Sequence, residues 1–364
     1  MTHPRVILGK LVSVSLPRDF SMHRGMSESL NMVAIGGGTG LSTLLRGLKG
    51  YVGAAGPHRI GQLSAIVTVT DEGGSSGRLR KELSMLPPGD VRNCIVALAE
   101  EEQLLSRLFN YRFEGNSALH GHSLGNLLIA AMTDIMGGFD HAILAASEVL
   151  AIRGAIYPST LEHVRLRATL EDGSVLVGET AISGEHLVGS RAPQHSKISR
   201  LEIDPVSAEP VEQAIAAIRH ADIIAIGPGS LYTSVLPNLL IDRIAETVRD
   251  ASAFRVYIGN IMTQPGETEN YSAQDHIRTI IEHAGPVMDA MIVSNGVPPE
   301  EGLKTYAAMN QFPVAHDLDK IREMGITPFS TDVTGTGTWV RHDPDALADA
   351  VFQSYAQAKL HGDG

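Results

Sequence analysis

The stretch Gly36-Gly37-Gly38-Thr39-Gly40 follows the apolar run Met32–Ile35 and precedes the amphipathic run Leu41–Leu48. A strand that breaks into bare backbone and re-forms as a helix leaves unpaired N–H groups at the positive end of the helix dipole. Glycines let a phosphate approach those groups closely. The spacing matches neither common phosphate fingerprint. Counted from Gly36, the last glycine of G-x-G-x-x-G would fall on Leu41, and counted from Gly38 on Thr43. A Walker A loop needs Gly-Lys, and the dipeptide after Thr39 is Gly40-Leu41. The segment therefore reads as a Rossmann-like first turn of a third kind, or simply as a tight strand-to-helix turn.

Further groups able to do chemistry stand at the ends of other apolar runs. The run ending at Thr70 is followed by Asp71, Glu72, Gly73, Gly74, Ser75, Ser76, Gly77 and Arg78. An acid at the end of a second strand is where ribose hydroxyls are held in Rossmann-like sheets, while a mobile loop with a solvated acidic pair is the plainer alternative. In "LPPGDVRNCIVALA", Asp90 is placed to cap a helix, whereas Arg92 and Asn93 sit in its first turn. A cation there opposes the dipole, and a bound anion would relieve the conflict. "LHGHSLGN" brings His122 and Asn126 to another helix start; no third or fourth ligand has a spacing that suits zinc. Later runs end in Gly227-Pro228-Gly229-Ser230 and in Asn260, Thr263 and Gln264.

These groups need a scaffold that brings them to one edge. Apolar runs at Met32–Ile35, Leu63–Thr70, Asp222–Ile226, Phe254–Ile258 and Asp289–Val293 alternate with helical-period stretches at Leu41–Leu48, Pro210–His220, Leu239–Arg249 and Gln274–His283. That alternation predicts an α/β fold: a Rossmann-like, mostly parallel sheet with helices on both faces. In such a sheet all the loops in question emerge at the carboxyl edge. Residues 90–153 read as helical, in segments Arg92–Phe109, Ser123–Met136 and Asp140–Ile152, the last two apolar nearly all round and so buried in the core or at a homodimer face. Residues 157–203 read as a small β-rich appendage built on a hairpin at Asp172-Gly173. Domain boundaries follow: a flexible arm at 1–30, one nucleotide-binding domain at 31–358 and a flexible tail at 359–364.

The bulk properties narrow the partners. A net charge of −12 argues against a broad nucleic-acid-binding face, and one cysteine, Cys94, cannot form a disulfide within the chain, which fits a reducing cytoplasm. No apolar run approaches the length of a membrane span; the densest, from Leu124, is short and carries Asp134.

Together the motifs "GGGTGLSTLLRGL", "VTVTDEGGSSGRLR", "LPPGDVRNCIVALA", "LHGHSLGNLLIAAM", "GPGSLYTSVLPNLL", "NIMTQPGET" and "RHDP" resemble the YvcK-like gluconeogenesis factors, in a CofD-like superfamily that also holds the 2-phospholactate transferases. The resemblance covers roughly residues 31–358, with Glu72 standing where many members have a second aspartate. It implies a nucleotide-diphosphate ligand, UDP-N-acetylglucosamine, no obligatory cofactor, and a regulatory role. That role links gluconeogenic growth to peptidoglycan synthesis and cell shape, with cell-wall synthesis proteins as partners. It further implies that Gly36 to Gly40 hold the diphosphate and that Asp71 holds the ribose or a Mg²⁺ ion. Gly227 to Ser230 and Asn260 would line the rest of the pocket, and Arg341 would clamp the diphosphate. The superfamily's other activity, Mg²⁺-dependent phosphotransfer, is the alternative function, with Asp71 or Asp90 as the metal-holding acid. An NAD-dependent oxidoreductase fits least, because the glycine spacing is wrong.

Overall fold

The structure, a computed structural model, describes residues 29–56, 58–100, 102–184, 196–337 and 339–362. The expected arm therefore lies outside the described residues as far as 28, and Leu30 already belongs to the first strand. The strands are β1 (Leu30–Gly36), β2 (Ile60–Val67), β3 (Ala155–Pro158), β4 (Arg165–Leu170), β5 (Val175–Val177), β6 (Ile198–Asp204), β7 (Ile223–Ile226), β8 (Phe254–Ile258), β9 (Ala290–Ser294) and β10 (Thr327–Thr331). The helices are α1 (Gly38–Lys49), α2 (Gly74–Leu83), α3 (Gly89–Leu98), α4 (Glu102–Asn110), α5 (Leu124–Met136), α6 (Phe139–Val149), α7 (Glu179–Ser183), α8 (Glu212–Arg219), α9 (Leu236–Leu239), α10 (Ile244–Asp250), α11 (Ala273–Ala284), α12 (Glu300–Ala308), α13 (Leu318–Glu323) and α14 (Pro344–Gly362).

Seven strands form one sheet in the order β10-β9-β8-β7-β1-β2-β3, and every pairing in it is parallel. The central strands are buried on both faces, which is why β7 reads Ile-Ile-Ala-Ile without alternation. From β1 the chain steps to β2 in one direction; from β7 it steps to β8, β9 and β10 in the other. Right-handed crossovers then put α1 on one face and the connections after β7 on the opposite face. Accordingly α1 packs with α3 and α14, while α8, α9, α10 and α11 pack with one another. The order reverses between β1 and β7, so the loops leaving those neighbouring strands part to opposite faces and open a crevice.

The smaller strands form a separate antiparallel sheet, β5-β4-β6, with the hairpin turn at Asp172 and Gly173. Its start differs from expectation. Residues 155–158 are instead the edge strand β3 of the main sheet, whose brevity hid it among turn residues. The small sheet is docked by Tyr232, whose hydroxyl donates to the Ile198 carbonyl at 3.4 Å, and by the Leu201 N–H, which donates to His283 Nε2 at 3.0 Å.

Four other expectations are corrected. The helix expected over Arg92–Phe109 is two helices, α3 and α4, because Ala99 is extended and bridges to Ile152. The helix expected from Leu239 begins earlier, with a π-helical turn at Leu231–Val235 that runs into α9 and is followed by a separate α10. The chain end expected as a tail from 359 is helical through Gly362, with 363–364 outside the described residues. Helices α5 and α6 are not core helices all round: in the single chain Ile135 and Val149 are 78% and 76% exposed, and Leu128, Met136 and Leu144 are exposed too, which leaves the homodimer face as the expected cover for those side chains.

Candidate functional site

Residues from three strand ends, the end of α12 and the segment before α14 meet at the reversal point. They line a cavity of about 280 Å³ bordered by Gly37 to Gly40, Thr43, Pro228 to Ser230, Ser234, Asn260 to Gln264, Tyr306, Gln311 and Val340 to His342. The first wall is the N-terminus of α1. Gly37 is its N-cap and carries no side chain, and Gly38 has φ +62°, a value that favours glycine. The second wall, the loop after β7, lies so close that a Cβ at Gly40 would stand 2.7 Å from the Pro228 carbonyl carbon. Glycine at 40 is therefore required by proximity rather than by backbone conformation.

The third wall follows β8. Asn260 Nδ2 donates to Gln264 Oε1 at 3.3 Å, and Gln264 Nε2 donates to Ser230 Oγ at 2.8 Å, tying this loop to the one after β7. Asn260 Oδ1 is buried without a hydrogen-bond partner at the cavity wall. Thr263 is buried and holds the Gln311–Phe312 segment, accepting from the Phe312 N–H at 3.0 Å. Ile261, Met262 and Val340 form a small apolar cluster with Leu303 and Tyr306. Across the mouth, a hairpin-like segment carries exposed Arg341. It is closed by the Gly335 N–H donating to the Arg341 carbonyl at 2.7 Å, and the Tyr306 hydroxyl contacts the Val340 carbonyl at 3.3 Å. His342 Nε2 lies 3.2 Å from the Gly259 carbonyl, and burial pushes its pKa down to about 4, so the ring is neutral and donates there.

Sequence reasoning placed all its candidates on one rim; the structure divides them. Gly37, Gly38, Thr39, Gly40, Pro228, Gly229, Ser230, Asn260, Thr263 and Arg341 line the cavity. Gly36 and Gly227 lie buried behind it: the Gly227 N–H donates to the Ile35 carbonyl, and the Gly36 carbonyl accepts from Asn238 Nδ2. Asp71, Gly74, Ser75, Ser76, Arg78, Asp90, Arg92, Asn93, His122 and Asn126 are not among its lining residues. Many of these form a second cluster behind the Gly37-Gly38 turn.

Asp90 links the two groups. It is not the cap of α3, whose N-cap is Pro88; its carboxylate instead accepts the Gly38 N–H. It also presses on Gly37, where an added Cβ would lie 2.7 Å from Asp90 Oδ2 and 2.6 Å from Thr68 Cγ2. Burial, then the charge of Asp71, pushes the Asp90 pKa up to about 7. Burial raises Asp71 too, against the Ser76 hydroxyl, the Gly73 N–H at 2.9 Å and the charge of Arg92. Ser76 Oγ accepts from Asn126 Nδ2 at 3.3 Å, and Ser75 Oγ lies 3.0 Å from His122 Nδ1. Ser123 caps α5, its hydroxyl accepting the Asn126 N–H at 3.2 Å. Glu72 turns away from both groups: it pairs with Arg165 at 2.9 Å and Arg80 at 3.8 Å and so braces the small sheet. Its extra methylene relative to aspartate therefore reaches toward that sheet and does not lengthen a ligand contact.

Tyr306, Gln311, His342 and the apolar cluster went unnoticed in the sequence. Tyr306 and Gln311 flank the end of α12, far in sequence from any strand-end loop, and nothing in their local pattern marks them. His342 had a signal, its position beside Arg341 in "RHDP".

Comparison with known proteins agrees with this architecture. The family model described as 2-phospho-L-lactate transferase CofD matches residues 32–334. An Aquifex aeolicus protein is 46% identical over 328 residues, 90% of this chain and 97% of its own length. The gluconeogenesis factor of Bacillus subtilis is 43% identical over 326 residues, 89% of this chain and 97% of its own. A crystal structure of a UPF0052-family protein from Bacillus halodurans superposes with a TM-score of 0.82 at 43% identity, covering 90% of this chain and 100% of that one. The chain therefore belongs to the CofD family and, within it, stands with the YvcK-like gluconeogenesis factors.

Proposed function

We propose that the protein binds a nucleotide sugar, UDP-N-acetylglucosamine, in the crevice between β1 and β7, and that occupancy of the crevice is a regulatory signal. In this reading the signal links carbon metabolism during gluconeogenic growth to peptidoglycan synthesis and cell shape, acting through cell-wall synthesis proteins. The observation that carries it is the make-up of the crevice. One side offers the N–H groups at the start of α1, apart from that of Gly38, which Asp90 holds, together with the Arg341 guanidinium, a pairing suited to a diphosphate. Another offers Ile261, Met262, Val340 and Tyr306, suited to the flat face of a base, beside the amides of Asn260, Gln264 and Gln311 for its polar edge. No carboxylate, lysine or cysteine lines the cavity among the described residues, and its histidine is held neutral against a backbone carbonyl. That lining supports binding without turnover.

Calorimetric titration with UDP-N-acetylglucosamine tests the reading. Saturable binding is expected, weakened about 10- to 100-fold in Arg341→Ala, as loss of a charge-assisted contact implies. The ligand should be recovered unchanged after prolonged incubation. Release of UMP, or transfer of a phosphorus-containing group, would refute the regulatory reading.

One observation favours a second reading, Mg²⁺-dependent phosphotransfer of the 2-phospholactate transferase type. Asp71 and Asp90 are close enough for their charges to interact, directly behind the glycine turn. No group of three or more His, Cys, Asp or Glu side chains suited to a metal occurs among the described residues. Two carboxylates nevertheless fit Mg²⁺, which takes one or two from protein and completes its shell with water and phosphate. Asp71 and Asp90 would hold the ion, which when bound neutralises charge on phosphate oxygens.

A further inference from the structure

Behind the Asp71–Asp90 pair, two arginines hold the turn from His120 to Ser123 and a third packs against the first turn of α5. Arg78 Nη2 donates to the His120 carbonyl at 2.6 Å, and Arg112 Nη1 donates to the Gly121 carbonyl at 3.0 Å. Arg92 lies beneath them, only 8% exposed, with its stem against Gly125, where an added Cβ would stand 2.9 Å from its Cδ. Among the described residues none of the three has a carboxylate within 4 Å, although Arg80, Arg153, Arg165, Arg200, Arg243, Arg255, Arg278 and Arg322 all do. In a chain with 41 acidic against 29 basic residues, partners were not scarce.

The arrangement is electrostatically incomplete. Burial and then the charge of Arg112 push the Arg92 pKa down, against the charges of Asp71 and Asp90, and its one side-chain acceptor, Asn93 Oδ1 at 2.8 Å, is neutral. Buried charges are ordinarily paired, because an unpaired one costs several kcal/mol of desolvation. Inside the same cluster Arg92 Nε is buried with no acceptor and Asn126 Oδ1 is buried with no donor, Asn126 being 3% exposed. His122, 3% exposed, is held toward its neutral form by burial and by Arg78. Ser75, its partner, lies in the first turn of α2, whose N-cap Gly73 provides no side chain. The cluster therefore holds an excess of donors of fixed geometry, one free acceptor and surplus positive charge.

We propose that this arginine-lined turn is a second anion site, taking the phosphate group of a small molecule, separate from the nucleotide-sugar crevice. A phosphate presents several acceptor oxygens to guanidinium donors, and in its singly protonated form a donor for Asn126 Oδ1. The site is several contacts removed from the crevice. Gly38 bonds Asp90, Asp90 feels Asp71, Asp71 bonds Ser76, and Ser76 bonds Asn126. It also accounts for the cation in the first turn of α3, which opposes that helix's dipole.

The test is thermal unfolding of the full-length protein with inorganic phosphate, sodium chloride holding ionic strength constant. The melting temperature should rise with phosphate, by about 2 °C at ten times the Kd. The rise should vanish in Arg78→Met/Arg112→Met, whose side chains lie nearer the surface than Arg92. It should survive in Arg341→Ala and in the presence of saturating UDP-N-acetylglucosamine. Absence of the rise in wild type, its persistence in the double variant, or its loss in Arg341→Ala would each overturn the proposal, the last by placing phosphate in the crevice. Arg92→Met, checked for folding by circular dichroism, should lose the rise as well. Should UDP-N-acetylglucosamine itself fail to bind, the reading of the crevice falls while the phosphate titration still decides this one.

Discussion

Replacement of Gly40 by alanine probes the contact on which the crevice depends. The new Cβ would lie 2.7 Å from the Pro228 carbonyl carbon and 3.0 Å from the Gly229 nitrogen, both backbone atoms of the loop after β7. Ordinary van der Waals contact begins at 3.4 Å, so the loop must retreat by at least 0.7 Å, the difference between 3.4 and 2.7, the Pro228 carbonyl oxygen standing closer still. Overpacking of that kind costs about 1–3 kcal/mol of stability. The functional effect should be larger. A hydrogen bond of about 2.9 Å stretched by that amount passes 3.5 Å and is effectively lost. A bond to a charged phosphate is worth about 1.5–3 kcal/mol, so one lost contact weakens binding about 10- to 100-fold. The assay pairs calorimetry with UDP-N-acetylglucosamine and urea unfolding at 25 °C. Leu166→Ala, a buried truncation in the separate small sheet, serves as the control: it should cost about 2–5 kcal/mol yet leave affinity unchanged. Wild-type affinity in a destabilised Gly40→Ala protein would show that the two loops do not jointly grip the ligand, and the reasoning would fail.

Other expectations concern buried polar groups. Asp90 has its pKa raised from 3.8 to about 7 in the folded state, so the stability tied to its protonated form is fully present near pH 4 and is lost as pH rises through 7. Asp90→Asn should therefore gain on wild type between pH 5 and pH 8, by on the order of 2–4 kcal/mol in denaturant melts, and a pH-independent difference would contradict the assignment. His342 behaves oppositely. With its pKa lowered from 6.5 to about 4, its contribution is present above 6.5 and lost as pH falls toward 4. His342→Gln should flatten the acid limb of the stability profile by about 1–3 kcal/mol, and an unaltered limb in urea melts from pH 7 to pH 4 would refute it. The Tyr257 hydroxyl is buried without a partner, so Tyr257→Phe should raise unfolding free energy by about 1 kcal/mol; a loss of that size would reveal a hidden partner.

The sequence by itself determined the class of fold and the loops that matter. Continuous apolar runs such as Ile223–Ile226, three of them followed directly by glycine, specify parallel strands with open carboxyl ends, because burial on both faces removes alternation. Gly37, Gly38, Gly40, Gly229, Asn260 and Arg341 were legible for that reason: the first five stand at strand ends, and Arg341 stands just ahead of a helix start. The short edge strand β3 was not, since its place is set by pairing with β2 and not by its own pattern.

Only the tertiary structure decided how those groups are shared out. The reversal of strand order between β1 and β7 is a property of the whole chain, and it alone puts Gly40 against Pro228 and Gly229 while leaving Asp71 and Arg92 behind the turn. Asp90 is an example: local rules make it a helix cap, yet the approach of Gly37 turns it into an acceptor for Gly38, while burial and the charge of Asp71 lift its pKa. Tyr306 and His342 reach the cavity from segments whose sequence carries only helix-forming and turn-forming preferences. Local propensities fix what each segment becomes, whereas charge, burial and proximity between distant segments fix what each side chain can do.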